Sequence, residues 1–405
     1  MKNLIQIFGI LLFAVLSVFW SCTSPKVDDF FNNVVAIRDT IRGDDIIVAD
    51  IHAFKDTVDL PLSIIAGEVE IIALDNKNEA LFSSGNIYLS DNYIGVCSSK
   101  PVSFKLFERS SGKYLCDIGT CGNGPGEYQN IYSAQIDEKN GRIYILPMQS
   151  RGLLVFGLDG KPYRTIPFPI GENNVQYDVP KGRFHVNEDG TIAVAILPIN
   201  SNMYVWTQDM DGHLIQKIDK FASIGVLRKL DYSSEILVGK NVGYFDPFLA
   251  ISFNRLNYTL RRYNVSENRL ELAFMVSNIH EIGAVTYYYS EIPGYFTGNF
   301  VPDINQLSES VFTGAEPKHF IVDKQTLRGA YFRLKIDELG GIGVEPYFSE
   351  GYFIMNSSAI ALKNKLQNLL NGRETKDPAM RKRIEELNNS INEEDNNIIM
   401  LAKLE

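Results

Sequence analysis

The run Gly122-Asn-Gly124-Pro-Gly126-Glu127-Tyr128 is the first place in this chain to look for chemistry. Consecutive backbone amides in a glycine-rich turn cradle anions. A nucleotide-binding loop also needs Gly-Lys-Ser/Thr at the start of a helix, and here Tyr128 leads into the strand-like Ile131-Tyr-Ser-Ala. The expected role is structural, with Glu127 accepting from backbone amides and Tyr128 packing between sheets. Asp209-Met-Asp211-Gly-His213 begins like a calcium loop, but Leu214 and Lys220 stand where an EF-hand requires Gly and Glu. A hairpin turn is expected there. His185, alternating on a predicted strand, reads as a strand residue rather than a ligand. No Gly-x-Ser-x-Gly elbow is present. A carboxylate pair for glycoside cleavage meets only in three dimensions.

One stretch is singled out for ligand contact. Between Ser277 and Pro302 lie Tyr287, Tyr288, Tyr289, Tyr295, Phe296 and Phe300, with Gly294 and Gly298. An exposed aromatic and glycine loop suits stacking on sugar rings; ordinary strand packing between sheets is the other reading.

The elements that must position these residues follow from an internal repeat. Four segments share an apolar run with an aromatic, a polar turn and a second apolar run, with turn residues Gly112, Gly160, Gly212 and Asn268. The steps are 48, 52 and 56 residues, and a fainter fifth copy spans His319 to Thr326. Gly and Asn are exchangeable at such a turn because both tolerate positive φ. Further strands begin at Gly85, Gly141 and Gly190. About four short strands per period is the content of a β-propeller blade. Some ~320 residues at a ~52-residue period give about six blades. The fold class expected is therefore all-β, a six-bladed β-propeller spanning 41–405. A helical excursion over 358–392 and a returning strand over 397–404 would protect the ring's open edges.

Composition narrows the function. With 39 Lys and Arg against 49 Asp and Glu, the net charge is −10. That disfavours nucleic acid and anionic headgroups as partners. Five scattered histidines and the absence of Cys-x-x-C argue against a metal centre. No cofactor is expected.

The N-terminus reads as an address. Met1-Lys2 precedes the apolar run Leu4 to Trp20, which ends at Ser21-Cys22. This is the order of a secretory signal. The small residue before Cys22 resembles the lipobox of bacterial lipoproteins, which implies cleavage over 1–21 and acylation of Cys22. Phe19-Trp20 departs from the usual small residues of that box. Residues 22–40 then read as a lipid-anchored tether, and Lys26-Val27-Asp28-Asp29 resembles a surface-export signal. Cys97, Cys116 and Cys121 remain, an odd number with no pairing set by spacing.

The segment Asp117-Ile-Gly-Thr-Cys-Gly-Asn-Gly-Pro-Gly-Glu-Tyr128 resembles the I-G-x-x-G-x-G-P-G-E-[FY] loop of six-bladed propeller lipoproteins abundant in Bacteroides, a group distantly similar to NHL-repeat and TolB-like propellers. Leu60-Pro-Leu-Ser and Glu394-Asp-Asn-Asn-Ile-Ile-Met-Leu agree with it, while Cys121 and Asp75-Asn76-Lys77 depart. The resemblance implies an outer-membrane lipoprotein at the cell envelope. The expectation is a monomeric, non-catalytic binding module for a glycan, peptide or envelope protein. The alternative is a hydrolase, lactonase or lyase with a divalent metal such as Ca²⁺ in the channel.

Overall fold

The computed structural model describes residues 30–405 apart from 100, 172–175, 200, 220–233, 251–258, 283–286, 302–304, 309–310, 314–315 and 373–376. The turn residues that mark the repeat all take positive φ: Gly112 +69°, Gly160 +79°, Gly212 +89° and Asn268 +47°. Each also presses on what precedes it. A Cβ would lie 2.1 Å from the Ala73 carbonyl oxygen at Gly112, 2.3 Å from that of Asp117 at Gly160, and 2.6 Å from that of Pro167 at Gly212. Asn268 meets the same requirement with its side chain, donating from Nδ2 to the Lys217 carbonyl at 3.1 Å. The repeat therefore records one turn docking on the outer strand of the preceding sheet.

Those sheets are built as the period predicts. Blade 1 contains strands Gly85–Leu89, Tyr93–Ser99, Val102–Glu108 and Tyr114–Asp117; blade 2 contains Ile131–Asp137, Arg142–Pro147, Gly152–Gly157 and Pro162–Pro167. Blade 3 contains Gly182–Val186, Ile192–Ile196, Met203–Gln208 and Leu214–Asp219. Blade 4 contains Tyr287–Ile292, Tyr295–Phe300, Lys318–Asp323 and Arg328–Ile336, with the hairpin Asn305–Ser308/Val311–Thr313 inserted between its second and third strands. Blade 5 pairs Phe348–Ser349, Tyr352–Ser357 and the C-terminal Ile398–Lys403 with Glu70–Ala73 from the other end of the sequence.

Among the described residues five complete blades are formed, which corrects the expectation of six. The segment between blades 3 and 4 is divided. Glu235–Val238 and Pro247–Ala250 make a two-stranded sheet. Thr259–Asn264 and Arg269–Ser277 instead share a sheet with the hairpin Ala36–Ile41/Asp44–Asp50. That hairpin attaches through parallel pairing of Asp44–Asp50 with Arg269–Ser277. The physical reason is competition for a strand edge, since N-terminal strands complete this sheet from outside the repeat.

The same strands correct the tether. Asn33–Val34 lies within 22–40 and Ala36–Ile41 begins there, yet both are paired, and Phe31 and Val35 are almost wholly buried. Thr57–Pro61 runs parallel to the last strand of blade 4.

Five apolar clusters fill the wedges between neighbouring sheets. One joins blades 1 and 2 through Phe104, Tyr128 and Phe156, and another joins blades 2 and 3 through Leu153, Phe168 and Trp206. The blade 5 chain detours through two helices between Tyr352–Ser357 and Ile398–Lys403. In α1 (Ala359–Asn371) the Ser358 hydroxyl caps the Ala361 amide; in α2 (Pro378–Ser390) the Asp377 carboxylate caps that of Ala379 and proline opens the first turn. Their buried faces, Leu362, Leu366 and Ile384, pack with Ile336 and Leu339. Among the described residues, no helix is long and apolar enough to cross a membrane.

Candidate ligand-binding site in the axial cavity

The inner edges of the sheets wall a cavity of about 290 Å³. Blade 1 contributes Tyr88, blade 2 Ser133, blade 3 Arg183, the two-stranded sheet Val238, blade 4 Tyr288 and blade 5 Ser349. Convergence of all these sheets identifies the cavity with the propeller axis, where rigid strands rather than loops hold the side chains.

Arg183 lies on the first strand of blade 3, where Phe184 and Val186 turn into the core. Its Nε donates to the Ile236 carbonyl at 3.2 Å and its Nη1 to the Tyr132 carbonyl at 3.1 Å. The guanidinium stands 4.8 Å from the centre of the Tyr132 ring. Glu235, beside it, is engaged by Lys181 Nζ through one oxygen and by the Tyr132 hydroxyl through the other.

At the next position around the axis, Lys240 Nζ and Glu350 Oε1 are 2.8 Å apart. Both residues have left-handed backbones, φ +53° and +55°. A non-glycine residue held there stores about 1–3 kcal/mol of strain, and such residues concentrate at functional sites. The strain is held by a hydrogen bond from the Glu350 amide to the Gly239 carbonyl, 2.9 Å. His185 lies in the field of this pair. Burial, and then the Lys240 charge, depress its pKa to about 4, so the imidazole is neutral at physiological pH.

Behind Tyr288 lies a buried polar cluster. Asp246 Oδ1 accepts from the Gly239 and Lys240 amides at 2.8 Å each. Asn241 donates to Ser290 Oγ at 3.1 Å. A Cβ on Gly239 would come to 3.0 Å of Asp246 Oδ2, Asn241 Nδ2 and Ser290 Oγ, so a side chain there would press on this cluster. Desolvation pushes the Asp246 carboxyl up to about 7 despite its two amide donors.

The structure distributes the residues singled out from sequence. Cys22 lies outside the described residues. The glycine loop joins blades 1 and 2. Gly126 takes φ +79°, and Glu127 Oε2 accepts from the Gly124 amide at 2.7 Å, leaving no room for a Cβ on Gly122. The Tyr128 hydroxyl accepts from the Phe104 amide at 3.1 Å and donates to the Ile118 carbonyl at 2.7 Å. This loop is spent on joining sheets.

The aromatic stretch is not an exposed loop. Tyr287–Ile292 and Tyr295–Phe300 are paired strands of blade 4 with Gly294 at their turn. Tyr289 is fully buried, its ring centre 5.1 Å from that of Phe248, and Tyr295 packs on Phe31 at 6.3 Å. Among the described aromatic side chains of this stretch, Tyr288 reaches the cavity, together with Asn299 opposite it; the side chain of Tyr287 lies outside the described part. Alternation along a strand explains the split, because neighbouring side chains point to opposite faces.

Asp209 forms the expected turn, accepting from the Asp211 and His213 amides and from the His213 ring. Among the described residues no three His, Cys, Asp or Glu side chains gather to hold a metal ion, and Cys97, Cys116 and Cys121 are unpaired.

Arg183, Lys240, Glu350, Tyr88 and Tyr347 escaped the sequence reading. Their signal was positional. Tyr88 and Arg183 sit on the first strands of blades 1 and 3, Lys240 and Glu350 just after Glu235–Val238 and Phe348–Ser349, and Tyr347 just before the latter, a common position that becomes a shared axis only when the sheets assemble.

Fold and cavity together define an all-β, propeller-type protein with a ligand-sized axial cavity. The chain belongs to the family described as Domain of unknown function (DUF4934), whose model matches residues 46–403. Among solved structures it is similar to a Bacteroides fragilis protein described as exported: 18% identity, 87% of this chain, 99% of that chain, TM-score 0.57. That likeness shows the fold alone. A DUF4221-family member from Bacteroides vulgatus follows at 10% identity, covering 84% of this chain and 97% of that one, with TM-score 0.42. No curated protein matches.

Proposed function

We propose that this protein is an exported bacterial envelope lipoprotein, held by acylated Cys22, that binds a ligand in its axial cavity without transforming it. The supporting observation is the state of the ionisable groups in the cavity wall and just behind it. Lys240 is paired with Glu350, Lys181 with Glu235, and His185 is held neutral. Catalysis asks for an acid or base poised near the working pH and in reach of substrate. The acids and bases among them are paired or held neutral, and Arg183 is a permanent cation that neither takes nor gives a proton, while tyrosine hydroxyls and the amides of Asn86 and Asn299 remain as recognition surface. The Bacteroides fragilis neighbour's description and the lipobox-like Ser21-Cys22 support the envelope assignment.

Two experiments test this reading. The full-length protein is expected in membrane fractions and the Cys22→Ser variant in soluble ones; a variant that still fractionates with lipid sinks the anchor. In glycan, peptide and metabolite arrays, hits are expected to be lost when Tyr288→Trp fills the cavity. Turnover of a hit would overturn the non-catalytic reading.

A further inference from the structure

The charge count of the cavity identifies what it takes. Arg183 has five N–H donors. One on Nε and one on Nη1 go to carbonyl oxygens, and no carboxylate pairs with the guanidinium among the described residues. Glu235 has both oxygens committed to Lys181 and Tyr132, and Glu350 is committed to Lys240. His185 adds no charge. One positive charge is left in the cavity wall. A cation withdrawn from bulk water without a counter-ion is costly unless a partner arrives.

The lining matches one partner in particular. Burial raises the pKa of Tyr88, Tyr288 and Tyr347, so their hydroxyls stay protonated and act as donors. Donors around an unspent guanidinium edge form a carboxylate receptor, since guanidinium and carboxylate meet in a two-pronged geometry. Asn86 and Asn299 supply amide partners for hydroxyl groups, and about 290 Å³ limits the ligand to roughly one ring in size.

We propose that the axial cavity binds a small organic monoanion of about one ring, its carboxylate seated on Arg183. This rests on the cavity being the ligand site, and deepens that reading by naming the class.

The test is calorimetric titration of the protein with glucuronate, glucose, cyclohexanecarboxylate and inorganic phosphate. Arg183→Gln, Arg183→Lys and Tyr288→Trp are run beside the wild type, with near-UV circular dichroism confirming that each is folded. The carboxylates are expected to bind the wild type at least about tenfold more tightly than glucose, the range of one charge-assisted hydrogen bond. Arg183→Gln removes that preference. Arg183→Lys keeps the charge without the fork and restores only part of it, which a merely structural arginine would not produce. Tyr288→Trp abolishes all binding. Whichever carboxylate binds better tells a sugar acid from a plain ring acid.

Equal affinity for glucose and glucuronate, unmoved in Arg183→Gln, overturns the anion class and leaves the cavity reading standing. Phosphate binding in preference to both carboxylates also overturns it, as does binding of none of the probes. Binding that survives Tyr288→Trp overturns the cavity reading itself.

Discussion

Blades 1 to 3 and the remainder of the ring obey one architecture by different means. In the first half, each sheet is one continuous stretch of chain, Gly85 to Asp117, Ile131 to Pro167 and Gly182 to Asp219, and glycine marks each turn. In the second half, sheets are completed from elsewhere in the chain. Asp44–Asp50 joins Arg269–Ser277, Thr57–Pro61 joins Arg328–Ile336, and Glu70–Ala73 joins Ile398–Lys403. The repeat's glycine becomes asparagine at 268, and the buried carboxylates Asp246 and Glu291 both lie here. A modular half and a stitched half share one ring. Local sequence suffices for the first, whereas the second depends on contacts more than two hundred residues apart.

Breaking the stitch should have the largest effect. Removing residues 398–405 takes out a strand paired on both edges and buried along nearly its whole length. Its loss is expected to exceed the ~5–15 kcal/mol total stability of an ordinary domain. Urea titration followed by near-UV circular dichroism should show no cooperative transition. A transition of wild-type sharpness would mean that the ring does not need its seam.

Trp206→Ala attacks the modular half instead. The indole is fully buried, T-stacked on Phe168 at 5.6 Å, and its Nε1 donates to Gln208 at 2.9 Å. A loss of about 3–5 kcal/mol is expected with the transition still cooperative. A broadened, multiphase curve would show that the modules unfold separately.

The buried acid of the stitched half gives a pH test. The folded pKa of Asp246, about 7, lies above the ordinary 3.8, so the native state keeps a proton that the unfolded chain releases. Its stabilising share is complete below 3.8 and is lost as pH rises through 7. His185 acts in the opposite sense, withholding stability as pH falls from 6.5 towards 4. In the wild type the two slopes largely cancel. Asp246→Asn retains an oxygen for the Gly239 and Lys240 amides while removing the charge. Relative to wild type it is expected to gain about 2–4 kcal/mol between pH 4 and pH 8. Urea midpoints at both pH values measure this, and a constant difference would refute it.

The smallest effect is expected at the join between blades 1 and 2. Tyr128→Phe leaves the buried Phe104 amide and Ile118 carbonyl without their hydroxyl partner. About 1–3 kcal/mol should be lost. A neutral outcome would reduce the glycine loop to filler.

Much of this was readable from residue order. Gly112, Gly160, Gly212 and Asn268 announced four docking turns, because positive φ restricts residue choice wherever the turn sits in space. The helical spacing of Leu362, Leu366 and Leu369 was equally local. The count of complete blades was not, because strand order within a sheet is invisible to a period. The aromatic stretch misled for a related reason. Tyr288 and Tyr289 differ only in which way a strand presents them, and that depends on what packs behind each face.

By itself, the sequence determined the all-β character, the repeating hairpin and the places where the backbone must turn back. These are short-range demands of sterics and alternation, met within a dozen residues. Tertiary structure alone decided which N-terminal strands close which sheets, and that Arg183, Tyr88, Lys240 and Glu350 share one axis. Burial, pairing and a leftover charge are properties of neighbours, and neighbours here come from opposite ends of the chain.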